Sequence, residues 1–330
     1  MNKCIGCGAT LNNDINKEGY TTNLEGKLCE RCFRIRNYNE YKKINKSDSD
    51  YVEILKKVDS KDLVILVVDL LNINDKLEKI NKYLNNKILL VLTKYDLMPS
   101  NNEEKYISFF KKYNLNIIDT VIISSNNNYH LDLLIDKINE YKTSNKVYVV
   151  GFTNAGKSSM INKLIYNYSN NIDYITTSNL PSTTLNTIEI KLNDIILIDT
   201  PGLLDNSIVN YIDSDTIKKI IPKKKIKPIT YQIKNSQIIN IENILYIDCN
   251  NTNITLYMSN NLNITRYYKK IDIPLTKHHL NVKSNQDIVI LGLGFIHVSN
   301  SCTLDIYVIK ETSVFTRDAL IGGNKWKKVH

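Results

Sequence analysis

Gly151-Phe-Thr-Asn-Ala-Gly-Lys-Ser158 decides the fold. It follows the apolar run Lys146-Val-Tyr-Val-Val150 and opens the helical pattern Lys157-Ser-Ser-Met-Ile-Asn-Lys-Leu-Ile165. A G-x-x-x-x-G-K-S loop between a strand and a helix is a phosphate-binding loop. Its glycines let successive backbone N–H groups point at phosphate oxygens, and the helix N-terminus adds its dipole. Lys157 neutralises phosphate charge and Ser158 is a magnesium ligand, with Asn154, Ala155, Gly156 and Ser159 completing the cradle.

Working outward, the next signal lies upstream. Thr93-Lys-Tyr-Asp96 ends the apolar run Lys87-Ile-Leu-Leu-Val-Leu92, with the spacing of a guanine reader. Asp96 would accept from guanine N1–H and the exocyclic amine. Adenine lacks that donor pair, and a site built to hydrogen-bond one ligand rejects the other by about 10⁴-fold or more. The stem of Lys94 would lie over the base. Val121-Ile-Ile-Ser-Ser-Asn126 places Ser124 and Ser125 at a second base-contacting turn, where a backbone N–H meets guanine O6.

Downstream, Pro181-Ser-Thr-Thr-Leu185 supplies Thr184, or else Thr183, to close over magnesium and the γ-phosphate. Ile195-Ile-Leu-Ile-Asp199-Thr-Pro-Gly202 reads as a buried strand ending in an Asp-x-x-Gly switch. Asp199 would hold magnesium through water, and the Gly202 N–H would sense the γ-phosphate. Thr93–Asp96 alone also reads as a surface turn, and Asp199–Gly202 as a plain one. Together, five fragments, each at the end of an apolar run, point to a GTP site.

Their order is base reader, second base loop, phosphate loop, switch I, switch II. That is a circular permutation of the usual G-domain, tolerated where the original termini lie close together. The expected fold is α/β: a permuted P-loop G-domain with a mainly parallel sheet and helices on both faces. Strands are expected at 63–69, 87–93, 120–124, 146–150, 187–192 and 195–199. Helices are expected at 51–58, 75–84, 103–112, 130–141, 157–166 and 209–220. Residues 167–186 read as a long polar switch I loop. Switch II leads directly out of the G-domain, so its ordering by γ-phosphate would pull on the C-terminal domain.

Of six cysteines, four lie early, as Cys4-Ile-Gly-Cys7 and Cys29-Glu-Arg-Cys32. Two C-x₂-C pairs fit a tetrahedral zinc site made by Cys4, Cys7, Cys29 and Cys32. The alternative is two disulfides or a redox pair. No apolar leader precedes them, so a reducing, cytoplasmic setting is expected. An organellar stroma or matrix is the alternative, if a transit peptide precedes this chain. Cys249 and Cys302 read as small buried apolar residues. The longest apolar stretch, Ile288–Ile296, falls short of the roughly 20 residues a membrane span needs.

Zinc knuckle, permuted G-domain and a further C-terminal domain together resemble the YqeH-type circularly permuted GTPases, which act in assembly of the small ribosomal subunit. The likeness is strongest at Cys4–Gly8, Gly151–Ser158, Pro181–Leu185 and Asp199-Thr-Pro-Gly-Leu203. It implies slow GTP hydrolysis coupled to ribosomal RNA or a precursor particle. It also implies that Asn154 helps hold K⁺ against the nucleotide. Leu203 stands where other GTPases have a catalytic Gln, and leucine cannot orient water. K⁺ or a partner residue would then supply the missing stabilisation, worth about 10³–10⁵ in rate. Thr93 replaces the usual Asn of the base reader and Ser182 the usual Gly before the threonines.

Charge is unevenly placed within the overall +9: residues 1–46 carry net +4, 47–222 net −3 and 223–330 net +8. The organisation expected is therefore a basic zinc knuckle over 1–46, a mildly acidic GTPase domain over 47–222 and a basic, β-rich RNA- or partner-binding domain over 223–330. Phosphate neutralisation by basic flanks suits RNA. Arg31, Arg34 and Arg36 with Phe33 and Tyr38 suit base stacking beside the knuckle, and Trp326-Lys-Lys328 adds a weaker signal. Ile221-Pro-Lys-Lys-Lys-Ile-Lys-Pro228 reads as an exposed basic linker.

The reading is a GTPase assisting small-subunit assembly, with GTP, Mg²⁺, Zn²⁺ and K⁺ as cofactors. Lys157, Thr184 and Asn154 would carry the chemistry. The alternative is a nucleotide-gated RNA- or protein-binding module with little intrinsic hydrolysis. A GTPase acting in RNA modification is a third reading, without residues for methyl or carbon transfer to support it.

Overall fold

The computed structural model describes residues 2, 4, 9–14, 17, 19–30, 53, 55–56, 58–168, 175–178, 187–200, 202–203 and 205–322. Its strands up to residue 200 are β1 (Leu63–Asp69), β2 (Ile88–Thr93), β3 (Ile117–Ile122), β4 (Lys146–Gly151), β5 (Ile175–Ser178), β6 (Thr187–Leu192) and β7 (Ile195–Asp199). Among the described residues, the α-helices with described bounds are α1 (Glu103–Phe110), α2 (Leu131–Tyr141), α3 (Lys157–Tyr168) and α4 (Ser214–Ile220), and the helix expected at 51–58 falls partly outside the described residues. The described residues fall into two discontinuous compact units: one drawn from Met1–Asp69, Lys76–Thr93 and Asn114–Leu204, the other from Leu70–Asp75, Lys94–Tyr113 and Asp205–His330.

The first unit is built on one seven-stranded sheet, ordered β3-β2-β1-β4-β7-β6-β5. The five strands from β3 to β7 run parallel, and β6 and β5 complete the sheet antiparallel. β1 and β2 are buried at every position, as continuous Val/Ile/Leu runs in a covered parallel sheet should be. Leu63, Ile65, Val67, Leu89 and Val91 pack with Leu131, Leu134 and Ile138 of α2 and Met160, Ile161 and Leu164 of α3. The expected mainly parallel α/β sheet is present.

Local expectations need four corrections. Residues 75–84 form a 3-10 helix over Asp75–Lys82, not an α-helix. Leu77 and Ile80, three apart and both buried, eclipse on one side of a three-residue turn. Part of 167–186 is strand, since β5 pairs with β6. The strand expected at 120–124 starts at Ile117. The 209–220 segment splits into a 3-10 turn at Ile208–Asn210 and α4. Asp213 caps α4, its carboxylate accepting from the N–H groups of Asp215 and Thr216, and so fixes the new start.

The second unit is β-rich, as expected. Its strands are β8 (Ile229–Ile233), β9 (Gln237–Ile241), β10 (Leu245–Cys249), β11 (Thr252–Met258), β12 (Ile264–Tyr267), β13 (Thr276–Val282), β14 (Gln286–Ile290), β15 (Gly294–Val298), β16 (Cys302–Val308) and β17 (Val314–Asp318). They form two antiparallel five-stranded sheets, ordered β12-β9-β10-β16-β13 and β17-β14-β15-β11-β8. One apolar cluster draws on both, including Ile239, Ile247 and Ile306 from the first and Ile254, Ile288 and Ile296 from the second. That is sheet-on-sheet packing.

α1 belongs to this unit. The guanidinium of Arg317 on β17 lies 5.5 Å from the Phe109 ring of α1 and 4.8 Å from Phe295 of β15. Asp287, wholly buried, pairs with Arg317 and with His297 Nδ1. The segment expected as an exposed linker is docked here too: Ile226 is buried, its N–H donates to Leu97 O at 2.9 Å, and Lys225 Nζ donates to Asn101. An isoleucine within the lysine run supplies the anchor, and the lysines themselves stay exposed. Among the described residues no helix is long and apolar enough to cross a membrane.

Candidate nucleotide site

Parallel strands end on one edge, so the loops at their carboxyl ends cluster. The chain lays β1, β2 and β3 to one side, then places β4 on the other side of β1. The strand order reverses between β1 and β4, and ligands of open α/β sheets bind at the carboxyl ends beside such a reversal. The phosphate loop leaves β4 at that point. Register aligns the pieces: Asp69 lies opposite Thr93, Val67 opposite Gly151 and Val149 opposite Asp199. Thr93 and Gly151 are thus two strands apart, roughly 10 Å.

Each glycine has a steric reason. A Cβ on Gly151 would meet Val67 O at 2.5 Å, because β4 passes tightly along β1. Gly156 has φ +95°, and its face lies against Thr93 Oγ1 and Cβ. A Cβ on Gly202 would lie 2.9 Å from Lys157 Nζ and 3.0 Å from the backbone of Thr153. The Asp-x-x-Gly glycine and the phosphate-loop lysine are therefore neighbours, as a shared γ-phosphate site requires.

Thr93 keeps a contact with the phosphate loop although it replaces Asn. Its hydroxyl donates to Ala155 O at 2.6 Å and lies 3.3 Å from Val68 O. Lys157 is only 8 % exposed, and its ammonium donates to the carbonyls of Gly151 and Phe152 at 3.1 and 3.2 Å. The loop's own carbonyls thus hold the ammonium within the loop. α3 starts at Lys157, which aims its N-terminal N–H groups into the loop. Asn154 (φ 61°), Ser158 and Ser159 are exposed around it.

Asp199 ends β7 with Oδ1 buried and without a hydrogen-bond partner among the described residues. Burial pushes its carboxyl up to about 6, and the nearby Lys157 charge offsets part of that rise. A buried, under-solvated carboxylate oxygen beside a phosphate loop fits a magnesium site reached through water. Ser124 is buried, its backbone paired in both directions with Tyr129 and its hydroxyl accepting from Asn127 N–H. Ser125 beside it is half-buried. Lys94 is left-handed (φ 62°), and Asp96 sits on the adjoining 3-10 turn Tyr95–Leu97; both are grouped with the second unit. Thr183 and Thr184 lie outside the described residues, as do Arg31, Phe33, Arg34, Arg36, Tyr38 and the Trp326–Lys328 tail.

Cys4 and Cys29 are buried together, and the Cys29 N–H donates to Cys4 Sγ at 3.1 Å. An N–H directed at sulfur fits a thiolate ligand. Cys7 and Cys32 lie outside the described residues, and among the described ones no group of three or more His, Cys, Asp and Glu is gathered for a metal.

Two features escaped the motifs. Leu203 is stitched to the phosphate loop: its N–H donates to Gly151 O, and its carbonyl accepts from Thr153 N–H, both at 2.9 Å. No side-chain pattern encodes that backbone pairing. Second, Ser159, Asn162, Lys163 and Tyr166 of α3 face Ser125 and Asn126 across an open cleft of about 400 Å³. The polar i, i+3, i+4, i+7 spacing, opposite buried Met160, Ile161 and Leu164, was the available signal.

Comparison with known proteins agrees with this geometry. A family model described as RsgA GTPase matches residues 44–208, and one described as 50S ribosome-binding GTPase matches 146–271. YqeH of Bacillus subtilis is 33 % identical over 96 % of this chain and 99 % of its own length. A guanine nucleotide-binding protein-like 3 homolog of Caenorhabditis elegans is 27 % identical over 62 % of this chain and 39 % of its own. GNP-bound YlqF from T. maritima superimposes over 52 % of this chain and 72 % of its own at 18 % identity, with a TM-score of 0.33. On the full-length match, together with the permuted site, the chain belongs to the YqeH family of circularly permuted GTPases.

Proposed function

We propose that this GTPase is an assembly factor for the small ribosomal subunit, with GTP setting the strength of its grip on RNA. The observation that carries the reading is the convergence of Thr93, the phosphate loop, Asp199 and Gly202 on one sheet edge. Basic appendages flank this less basic centre, which suits a polyanionic partner.

In the proposed reaction, water attacks the γ-phosphate in line. The phosphate-loop N–H groups orient the triphosphate, and Lys157 transfers its donors from the Gly151 and Phe152 carbonyls to phosphate oxygens. Gly202 admits the γ-phosphate because it carries no side chain against Lys157. Ser158, Thr184 and Asp199 would hold magnesium, and Asn154 potassium; both cations would neutralise charge on the phosphates. Asp96 would read the guanine edge, with Lys94 over the base and Ser124 and Ser125 beside it. Cys4, Cys7, Cys29 and Cys32 would bind zinc and so fold the first 46 residues. The GTPase domain over 47–222 and the basic domain over 223–330 would divide hydrolysis and RNA binding. The cytoplasm, or an organellar stroma or matrix, is the compartment we propose.

A second reading is a nucleotide-gated docking module with little hydrolysis. Leu203 favours it, since its side chain orients no water and its backbone is already paired to Gly151 and Thr153. Single-turnover hydrolysis, in K⁺ against Na⁺ buffer and with or without small-subunit particles, separates the two. The assembly GTPase is accelerated by potassium and by particles. A flat rate under all four conditions supports the docking module.

A further inference from the structure

We infer that an aromatic and cationic shelf where two sheet edges of the C-terminal unit meet is a binding site for single-stranded RNA. Its core is Arg266 on β12, held between the rings of Tyr231 and Tyr268. This rests on the RNA-binding reading above and names the surface that would carry it.

β12 is the outer strand of one sheet and β8 the outer strand of the other. Arg266 joins them. Its guanidinium carbon lies 5.3 Å from the ring centre of Tyr231, on β8, and 5.5 Å from that of Tyr268. Tyr268 stands one residue beyond the end of β12, in the bend that follows, and its ring meets the guanidinium there. The arginine is held from beneath. Nε and Nη2 donate to Gln237 Oε1 at 2.8 and 2.5 Å, and Gln237 is only 5 % exposed. A buried amide spent on orienting a surface guanidinium makes this a built feature rather than a floppy cation. Of its five donors, three remain to face outward.

The ring above is open. Tyr268 is 70 % exposed, and Tyr267 also reaches solvent. Lys269 and Lys270 come next in the chain and are exposed. Carboxylates are sparse: Asp272 is the one acid between 264 and 272, and the half-buried Asp248 is near enough to Lys270 to feel its charge. An exposed aromatic face at the end of an edge strand, with a fixed guanidinium and flexible ammonium groups beside it, matches an unpaired base with its flanking phosphates. Duplex RNA hides its base faces and offers the tyrosines nothing. An acidic protein segment would use the charges and leave the rings idle.

The test is fluorescence anisotropy of the full chain with a labelled 12-nucleotide oligouridylate, against a duplex of the same length. Tyr268→Ala should weaken single-strand binding between about 5- and 100-fold, and Tyr268→Trp should restore it. The Lys269→Ala, Lys270→Ala pair should lower the slope of log affinity against log salt by about 1.4. Hydrolysis without RNA should be unchanged in all three variants. Wild-type binding with Tyr268→Ala within twofold of it overturns this site and leaves the RNA reading standing. Equal affinity for duplex and single strand likewise overturns it, as the signature of charge alone. Wild-type protein that binds neither RNA removes both the site and the reading.

Discussion

The hydroxyl of Thr93 donates to the carbonyl of Ala155 at 2.6 Å, tying the end of β2 to the phosphate loop across 62 residues of sequence. The strand that leads to the base reader and the loop that takes phosphate are thus joined by one side chain. Thr93→Val keeps the shape and removes the donor, leaving a buried carbonyl unsatisfied. The expected cost is about 1–3 kcal/mol of stability, read as a lower urea midpoint. GDP affinity should fall with it. An unchanged midpoint would show that this bond contributes nothing.

Gly202 sets a steric limit. In Gly202→Ala the new methyl meets Lys157 Nζ and the Thr153 backbone. The lysine tip can swing away, but the backbone cannot. Hydrolysis should fall at least tenfold while GDP binding stays within a few-fold, since GDP makes no demand on the γ-phosphate position. Full single-turnover activity in this variant would refute the proximity argument.

Asp199 gives a pH signature in protein free of nucleotide and magnesium. Its carboxyl is pushed up to about 6 by burial, from an ordinary 3.8. A raised acid destabilises where the unfolded chain is ionised. The penalty is therefore absent below 3.8, grows through the interval and is fully present above 6. Its ceiling is about 3 kcal/mol. Asp199→Asn removes it, so the difference in stability between variant and wild type should grow from pH 4 to pH 6.5. The check is a pair of urea titrations across that range. A constant difference contradicts the burial argument.

Zinc should be present at one ion per chain, and Cys29→Ser, which takes away one thiolate, should release it. Elemental analysis of the purified protein measures this directly. Wild-type protein without zinc removes the knuckle.

Much of the site was legible in the sequence because every motif but the switch I threonines sits where an apolar run stops, and in a parallel sheet all such stops share an edge. Asp199, Gly202, Gly151 and Thr93 were found that way. Leu203 was half-read: its side chain said what it lacks, while its pairing with Gly151 and Thr153 is a backbone property with no residue signature. The 3-10 helix at Asp75–Lys82 was missed because Leu77 and Ile80, three apart, fit either helical period. The Arg266 shelf was out of reach, since Tyr231 and Arg266 meet only through the packing of two sheets.

The central claim is that pieces out of order along the chain bind one guanine nucleotide. Asp96→Asn tests it most directly, by titrating GDP and xanthosine diphosphate against wild-type and variant protein. The account predicts that the variant loses GDP affinity by a factor of about 100 or more, on the order expected for an unpaired buried polar group, and gains xanthosine diphosphate. GDP affinity unchanged in the variant, with no gain for xanthosine diphosphate, would contradict it.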